Sequence, residues 1–527
     1  MILFPVIERE LRAAARRPFT YHLRVFGVLA LLVALGLFVS RGDLGPGFGK
    51  ELFRWLHGAL FLAIWALIPL LCMDVISGER REGTLPLLFL TPLKARDIVY
   101  AKTLTQGLRT LTLWLAVLPV LAVAVLAGGV SWMEVLISAL VNFGAACLAL
   151  AAGLAASARS RVWTRALALV LILGVGFLVL FLAMVPWVLQ LVMDRKWPAG
   201  FADEWSLSEG FALAVNSDGA WQDLLTRGRS SAPALAGFGG VASASFLIFL
   251  WVVRFAAWNM KRTWREQPRS ERMARFEARL VRPILFRHAL RRWLKWQLRR
   301  NPIGWLEQRS WTGRLVVWSW LAVVICVYTS LFANLGVYQR AFHSLQSALA
   351  LVLAASIALS AAGSFRRERE TGVLELLLVA PIREWQIIGG RVRGLWSQFL
   401  PSVLLLYGVW LYAATFLGGR DELLTLLQYT VTFATLPVVG LYFSLATANF
   451  IVAFLATLLL QVLVPQLLAQ FCAYACESFK GAPPGIEPAL LEFIVSILLQ
   501  VLFSLLVAWR LHRNLKRRAF ALDTRDR

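Results

Sequence analysis

Two short stretches set an acid, a base, a glycine, a leucine cluster and a proline in the same order. The first runs Glu79-Arg80-Arg81-Glu82-Gly83-Thr84-Leu85-Pro86-Leu87-Leu88-Phe89-Leu90-Thr91-Pro92. The second runs Glu368-Arg369-Glu370-Thr371-Gly372-Val373-Leu374-Glu375-Leu376-Leu377-Leu378-Val379-Ala380-Pro381. An acid beside a base can pair with a neighbour or accept from the donors of a partner. Gly83 and Gly372 allow a turn that other residues resist. Leu85, Leu87 and Leu88, and likewise Leu374, Leu376 and Leu377, form a short apolar ridge suited to a membrane interface or a partner's groove. Pro92 and Pro381 close each stretch. These residues can dock; none of them is arranged to break bonds.

The other residues capable of chemistry do not assemble into a site. Gly45-Pro46-Gly47-Phe48-Gly49-Lys50 lacks the first glycine of a phosphate-binding loop and the Ser or Thr after its lysine, so it is no nucleotide cradle. His22, His57, His288, His343 and His512 are scattered without ligand spacing, and no metal is expected. Cys72, Cys147 and Cys326 read as small apolar residues. Cys472 and Cys476 stand four apart and read as same-helix packing, with a redox pair as the alternative. Asp74, Glu134, Glu422 and Glu492 fall near the ends of apolar runs, which argues against an ion-coupled carrier with a mid-membrane carboxylate. The polar residues inside the runs are neutral: Asn142, Gln398, Gln461, Gln466, Gln470 and Gln500. They are expected to hold helices together. Gln466 and Gln470, one turn apart beside Pro465, are the candidates for lining a pathway.

These residues are carried by long apolar elements. The chain has 527 residues, 59% hydrophobic and 16% charged, with a mean hydropathy of +0.67. Soluble domains are about 45–50% apolar and roughly 25% charged, so water-soluble globules are excluded. Five cysteines cannot staple a chain this long. Runs of about 20 apolar residues without alternation predict membrane-spanning helices rather than barrel strands. Twelve are expected, six near 23–40, 58–76, 108–127, 134–157, 166–190 and 237–257, and six near 315–334, 344–364, 394–417, 423–446, 450–472 and 488–509. The fold class is therefore all-α polytopic membrane protein. Arg12, Arg16 and Arg17 before the first run suggest a signal peptide, but no small-residue cleavage site follows, and an uncleaved first span is expected.

With both termini on one side, the connections there carry 44 of the 54 Lys and Arg residues and the opposite connections carry 10. The positive-inside rule then places both termini in the cytoplasm. The net charge of +24 is mostly cytoplasmic loop, and no nucleic acid partner is expected.

A shift of 289 residues superimposes the two motif stretches and brings Ile98 onto Ile387 and Lys102 onto Arg391. A shift of 297 brings Pro5, Glu10, Arg12 and Arg17 onto Pro302, Glu307, Arg309 and Arg314. Gly153 and Ser157 meet Gly440 and Ser444. The chain is thus read as a parallel tandem repeat of six-span units. The first covers 1–257, a basic cytoplasmic linker covers 258–297, and the second covers 298–527.

Glu-Arg-x-x-Gly-x-Leu, a leucine-rich stretch and a proline after the second span of a six-span unit resembles the ABC-2 type permease of ABC transporters. The resemblance implies an amphipathic helix before the first span and a cytoplasmic coupling loop that docks on a separate ATPase subunit. Glu79, Arg80, Gly83 and Pro92 would take the loop's roles in one half, and Glu368, Arg369, Gly372 and Pro381 in the other. The first copy departs from the second at Pro86, where the second has Glu375. The resemblance further implies a non-enzymatic permease with ATP and Mg bound by the partner ATPase. It implies a bacterial-type inner membrane, halves that rock as the ATPase closes, and export of a hydrophobic, amphipathic or lipid-linked compound. The alternative is a membrane anchor that passes ATPase motion to an extracytoplasmic partner, and a secondary carrier stands third.

Two segments outside the spans add to this. Over 279–300, Phe286, Leu290, Trp293, Leu294 and Leu298 share one helical face, and Arg287, Arg291, Arg292, Lys295 and Arg299 the other. That is a basic amphipathic helix suited to anionic membrane lipids. The segment 191–236 holds Trp197, Trp205 and Trp221, read as an interfacial belt. In similar permeases this position carries short re-entrant helices. The orientation is checked with an impermeant thiol reagent on intact cells expressing variants that lack the native cysteines. Ser217→Cys and Gly481→Cys are expected to label and Ser270→Cys to stay unlabelled; labelling at 270 reverses the orientation.

Overall fold

The helix expected over 58–76 starts ten residues early, at a glycine. Gly47 has φ +117, a conformation that glycine adopts freely. The chain turns there into α1, Phe48–Cys72. Gly49, in its first turn, lies against the carbonyls of Ala124 and Gly128 with no room for a side chain. Gly47 and Gly49 of this Gly-Lys stretch thus serve a turn and a close packing contact.

The computed structural model describes residues 8, 12, 47–81, 83, 90, 94–160, 163–192, 207–216, 219–227, 231–263, 311–333, 342–365, 368, 373–379, 383–416, 420–447, 450–478 and 488–517. The expected first span, 23–40, and the basic helix, 279–300, lie outside the described residues. Among the described residues all regular structure is helical. The chain divides into two units, Met1–Pro268 and Arg269–Arg527, with the division inside the basic linker. Nine described stretches are long and apolar enough to cross a membrane. Two shorter apolar helices, Val316–Thr329 and Gln346–Ala362, stand where two further spans are expected. The protein is a multi-pass, all-helical membrane protein.

In the first unit α1 is followed by α2 (Ser77–Arg81), α3 (Ala95–Leu126), α4 (Trp132–Arg159), α5 (Trp163–Val192), α6 (Leu207–Val215), α7 (Ala220–Arg227) and α8 (Ser231–Thr263). Gly128 and Gly129, at φ +92 and +82, stop α3. A capping box then starts α4: Glu134 N donates to Ser131 Oγ at 3.3 Å, and Ser131 N to the Glu134 carboxylate at 2.8 Å, which satisfies donors a helix start leaves open. α4 is the centre of the unit and packs on α8, α1 and α5. Its buried face is built of Gly144, Ala145, Ala149, Ala151, Ala152, Gly153 and Ala156. Lipid tails are as apolar as leucine, so spans gain most where small residues let backbones approach.

The segment between α5 and α8 folds back as α6 and α7. Trp221 is fully buried, which corrects its reading as an interfacial belt residue. Its indole N–H donates to Leu213 O at 2.6 Å, so its polar end is satisfied inside the unit. Its ring lies 4.7 Å from that of His57 on α1. His57 Nε2 is 2.9 Å from Ala214 O. A carbonyl only accepts, so in the neutral ring Nε2 carries the hydrogen. Nδ1 accepts, 2.9 Å from Ser138 Oγ and 3.2 Å from Asn142 Nδ2. Asn142 thus holds α4 to α1.

The second unit comprises α9 (Trp311–Ala333), α10 (Phe342–Ala362), α11 (Val373–Val379), α12 (Glu384–Phe416), α13 (Arg420–Ala446), α14 (Phe450–Leu458), a π turn (Leu459–Leu463), α15 (Val464–Ser478) and α16 (Pro488–Arg517). Pro465 has no N–H to give the carbonyl four residues back, and its ring crowds that carbonyl. The helix answers with a wider turn, in which Val464 N donates to Leu459 O. The turn carries the fully buried Gln461. Its amide donates to Thr435 Oγ1 and, at 3.2 Å, to Gln500 O. Thr432 Oγ1 donates to Gln500 Oε1 at 3.1 Å, and Gln428 Nε2 to Ser496 Oγ at 3.2 Å. Gln461 and Gln500 are therefore glue between α13, the π turn and α16.

One backbone contact recurs in both units. A Cβ on Gly153 would lie 2.5 Å from Cys72 Cβ and 2.9 Å from Pro69 O. A Cβ on Gly440 would collide with Ala361 Cβ, and Ala361 is the residue 289 positions beyond Cys72. Gly153→Val and Gly440→Val are each expected to cost about 1–3 kcal/mol through overpacking. Gly174→Val, at a site with nothing within 4 Å, is the control. Thermal unfolding in nanodiscs measures this, and equal midpoints for Gly153→Val and Gly174→Val would contradict it.

Candidate functional site

The end of α1 is shaped by one hydroxyl. After Cys72 the chain turns through 73–76 and enters α2. Ser157 Oγ, from the last turn of α4, accepts from Ile76 N at 2.8 Å and from Ser77 N at 3.1 Å. Two backbone donors freed by the break are thereby satisfied without water. In the second unit Ser444 Oγ on α13 accepts from Phe365 N at 3.2 Å. Residues 76 and 365 are 289 apart, so the same joint is built twice.

The motif acids sit just beyond this joint and turn inward. Glu79 on α2 is 2.6 Å from Lys102 Nζ on α3, with side chains 17% and 6% exposed. Glu368 is 2.7 Å from Arg391 Nη2 on α12, 18% and 5% exposed. Lys102 and Arg391 are the pair that the 289-residue shift superimposes. Arg391 also donates from Nη1 to Ser364 O at 2.8 Å and to Ser364 Oγ at 3.3 Å. Its guanidinium lies 4.8 Å above the centre of the Phe365 ring. A planar fork can serve the carboxylate, the carbonyl and the ring together, which a lysine cannot.

The apolar residues around each pair also correspond. Ile98 and Ile387 are each 1% exposed. Ile98 packs with Ile76, Val99, Leu154 and Met260, and Ile387 with Phe365, Ile388, Leu441 and Leu511. α11 splits the leucine ridge in two. Leu374 is buried and Leu377 packs beside it in that cluster. Leu376 and Val379 point away, 71% and 72% exposed. In the first loop Gly83 has φ +70, the left-handed turn that glycine allows, and Leu90 is 82% exposed. Arg80 lies on α2 and is half-buried. Leu85, Leu87, Leu88 and Pro92, with Arg369, Gly372 and Pro381, lie outside the described residues. Gln466 and Gln470 are half-buried on α15, away from both ion pairs in sequence.

Lys102, Arg391, Ser157 and Ser444 complete the site. Each already coincides in the internal repeat, but spacing alone does not say which residue faces which. Together they fix three spans of a unit at one end, while the loop beyond keeps an exposed apolar edge.

Residues 18–264 match the family model described as ABC-2 family transporter protein. Over that stretch, a little under half of its length, the chain is similar to ABC-2 family transporters. It is also similar to proteins named "Probable multidrug ABC transporter permease YbhR" from Escherichia coli strain K12 and from Escherichia coli O157:H7. Each is 34% identical over 96 residues, 18% of this chain and 25% of the relative. The chain thus aligns with a quarter of the length of these relatives. No solved structure matches it. In this chain the paired motif acids are internal fasteners.

Removing one member of a largely desolvated ion pair leaves the other charge stranded, at a cost of about 3–5 kcal/mol. Lys102→Met and Glu79→Leu are each expected to destabilise the protein by that order, and the double variant by clearly less than the sum. Thermal unfolding of the three variants measures this. Strictly additive losses would show that the two side chains do not depend on each other.

Proposed function

We propose that the chain is the permease subunit of an ATP-binding cassette exporter in a bacterial-type inner membrane, with both termini in the cytoplasm. The observation that carries this is the twice-built joint: a loop fastened by a buried ion pair to the helix that follows it and by a serine to the helix after that. The exposed edge of α11, Leu376 and Val379, offers an apolar contact to a cytoplasmic partner. In this reading the partner is a separate ATPase subunit, which binds ATP and Mg and pushes on both loops. The ion pairs resist shear, so the push moves the second, third and fourth spans of a unit as one body instead of bending the loop.

Several features support the reading. The family match covers most of the first unit, and the similar Escherichia coli proteins are named as probable multidrug permeases. The spans carry neutral polar side chains, so a hydrophobic or amphipathic cargo suits them better than an ion. The basic helix over 279–300 would rest on anionic lipids of the inner leaflet. Gln466 and Gln470 remain the candidates for touching cargo.

The test is to assemble the chain with a candidate ATP-binding cassette ATPase subunit from the same genome and measure substrate-stimulated ATP hydrolysis. Leu376→Asp with Val379→Asp is expected to leave the permease folded, because both residues are exposed, and to weaken assembly about tenfold or more through loss of apolar contact. Wild-type assembly and hydrolysis in that variant would remove α11 from the docking surface.

A further inference from the structure

The last span of each unit carries two unlike faces past the joint. On α16 the buried face ends with Leu511 and Leu515, which sit in the cluster of Phe365 and Ile387 beside the Glu368–Arg391 pair. On the opposite face Leu498, Leu502, Leu505 and Trp509 are exposed. Their steps of three and four residues make one stripe along the helix, and on a membrane-spanning helix such a stripe suits lipid tails. The stripe then changes chemistry. Arg513 and Lys516 continue it, Arg510 and Arg517 flank it, and all of these cations are exposed. The Arg513 guanidinium lies 5.2 Å above the centre of the Trp509 ring, a cation–π contact that holds it beside the indole. α16 carries no carboxylate after Glu492.

The first unit ends its last span in the same way. A shift of 255 residues brings Asn259-Met260-Lys261-Arg262 onto Asn514-Leu515-Lys516-Arg517, and Ala256 onto Leu511. Ala256 and Met260 are buried in the cluster of Ile98. Leu247, Trp251 and Trp258 on α8 are exposed, and Arg254 is exposed between the two tryptophans. In each unit one face of the closing turns is thus seated on the joint. The other sets tryptophan and arginine within about one turn of each other where an apolar stripe ends. Tryptophan favours the headgroup level of a membrane.

We propose that the exposed end of α16, with Trp509, Arg510, Arg513 and Lys516, is a binding site for the phosphate headgroup of an anionic phospholipid. Tails laid along Leu498, Leu502 and Leu505 bring the phosphate to the cations that follow on the same stripe. Arginine meets a phosphate with paired N–H donors, and the indole under Arg513 holds its guanidinium ready. A free phosphate gains nothing from the apolar stripe, so the surface favours the lipid. Leu511 and Leu515 occupy the other side of the same turns, so a bound headgroup steadies α16 against the joint. The site is distinct from the basic segment 279–300 and goes beyond the permease reading; binding to the chain alone tests it whether or not an ATPase partner exists.

The probe is tritiated phosphatidylglycerol, measured by scintillation proximity on the full chain in neutral-detergent micelles. Arg287, Arg291, Arg292 and Lys295 are replaced by Gln throughout, which removes the basic linker as a competing lipid site. Saturable binding is expected, displaced by unlabelled phosphatidylglycerol but by neither phosphatidylcholine nor glycerol phosphate. Arg513→Gln with Lys516→Gln is expected to weaken it by about tenfold or more, because two cations leave the headgroup level. Lys94→Gln with Arg96→Gln removes the same charge from exposed residues at the joint end of α3 and is expected to leave the affinity unchanged. The four residues are exposed, so both variants are expected to fold. No saturable binding, or unchanged affinity in the Arg513 and Lys516 variant, overturns the proposal. An equal loss in the Lys94 and Arg96 variant also overturns it, because surface charge alone would then explain the binding. Displacement by phosphatidylcholine or by glycerol phosphate overturns it as well, the first showing an unselective lipid surface and the second a free-phosphate site.

Discussion

A carboxylate and a cation taken out of water must stay together, and this chain relies on that constraint twice. Glu79 with Lys102 and Glu368 with Arg391 are all less than a fifth exposed. Their attraction need not add net stability, because desolvation offsets much of it. What it sets is position: separating either pair strands a charge in an apolar cluster. The loops can therefore change direction only by carrying α3 or α12 with them. Ser157 and Ser444 extend the fastening to α4 and α13 through the backbone of the joint. Gly153 and Gly440 bring those helices against α1 and α10, the spans that lead into the joints. Charge, hydroxyl and backbone contact each remove a different relative motion of three helices.

Away from the joint the units diverge. The first closes its opposite end with α6 and α7, held by His57 and the buried Trp221. The second carries the π turn of Pro465 and the amide ladder of Gln461 and Gln500. The ion pairs themselves differ in chemistry, since Arg391 also holds a carbonyl and a ring.

Much of the joint was legible as coincidence before it was legible as geometry. Comparing the chain with itself picks out Glu79 and Glu368, Lys102 and Arg391, Ser157 and Ser444, and Gly153 and Gly440. Sequence could not tell that the acid faces the base, because they stand on different helices 23 residues apart. The start of α1 was hidden by Lys50, Glu51 and Arg54, which lower the hydropathy of a helix that its packing against α3 still orders. Trp221 reads as a belt residue because tryptophan favours interfaces. Only the fold shows that its N–H is satisfied by Leu213 O and needs no water. Gln461 and Gln500 were legible as glue from their neutrality, whereas the wider turn that delivers Gln461 follows from Pro465 and needed the backbone to be seen.

In the proposed mechanism each motif acid transmits force through its own unit instead of touching the ATPase partner. Reversing the charges within a pair tests it, because the pair is restored while the acid is lost from the loop. The measurement is substrate-stimulated ATP hydrolysis by the chain assembled with the proposed ATPase subunit and carrying Glu79→Lys, Lys102→Glu, or both. The account predicts that each single variant uncouples hydrolysis from substrate and that the double variant recovers most of the stimulation. A double variant no better than Glu79→Lys alone would mean that the loop needs its acid for the partner, and would contradict the account.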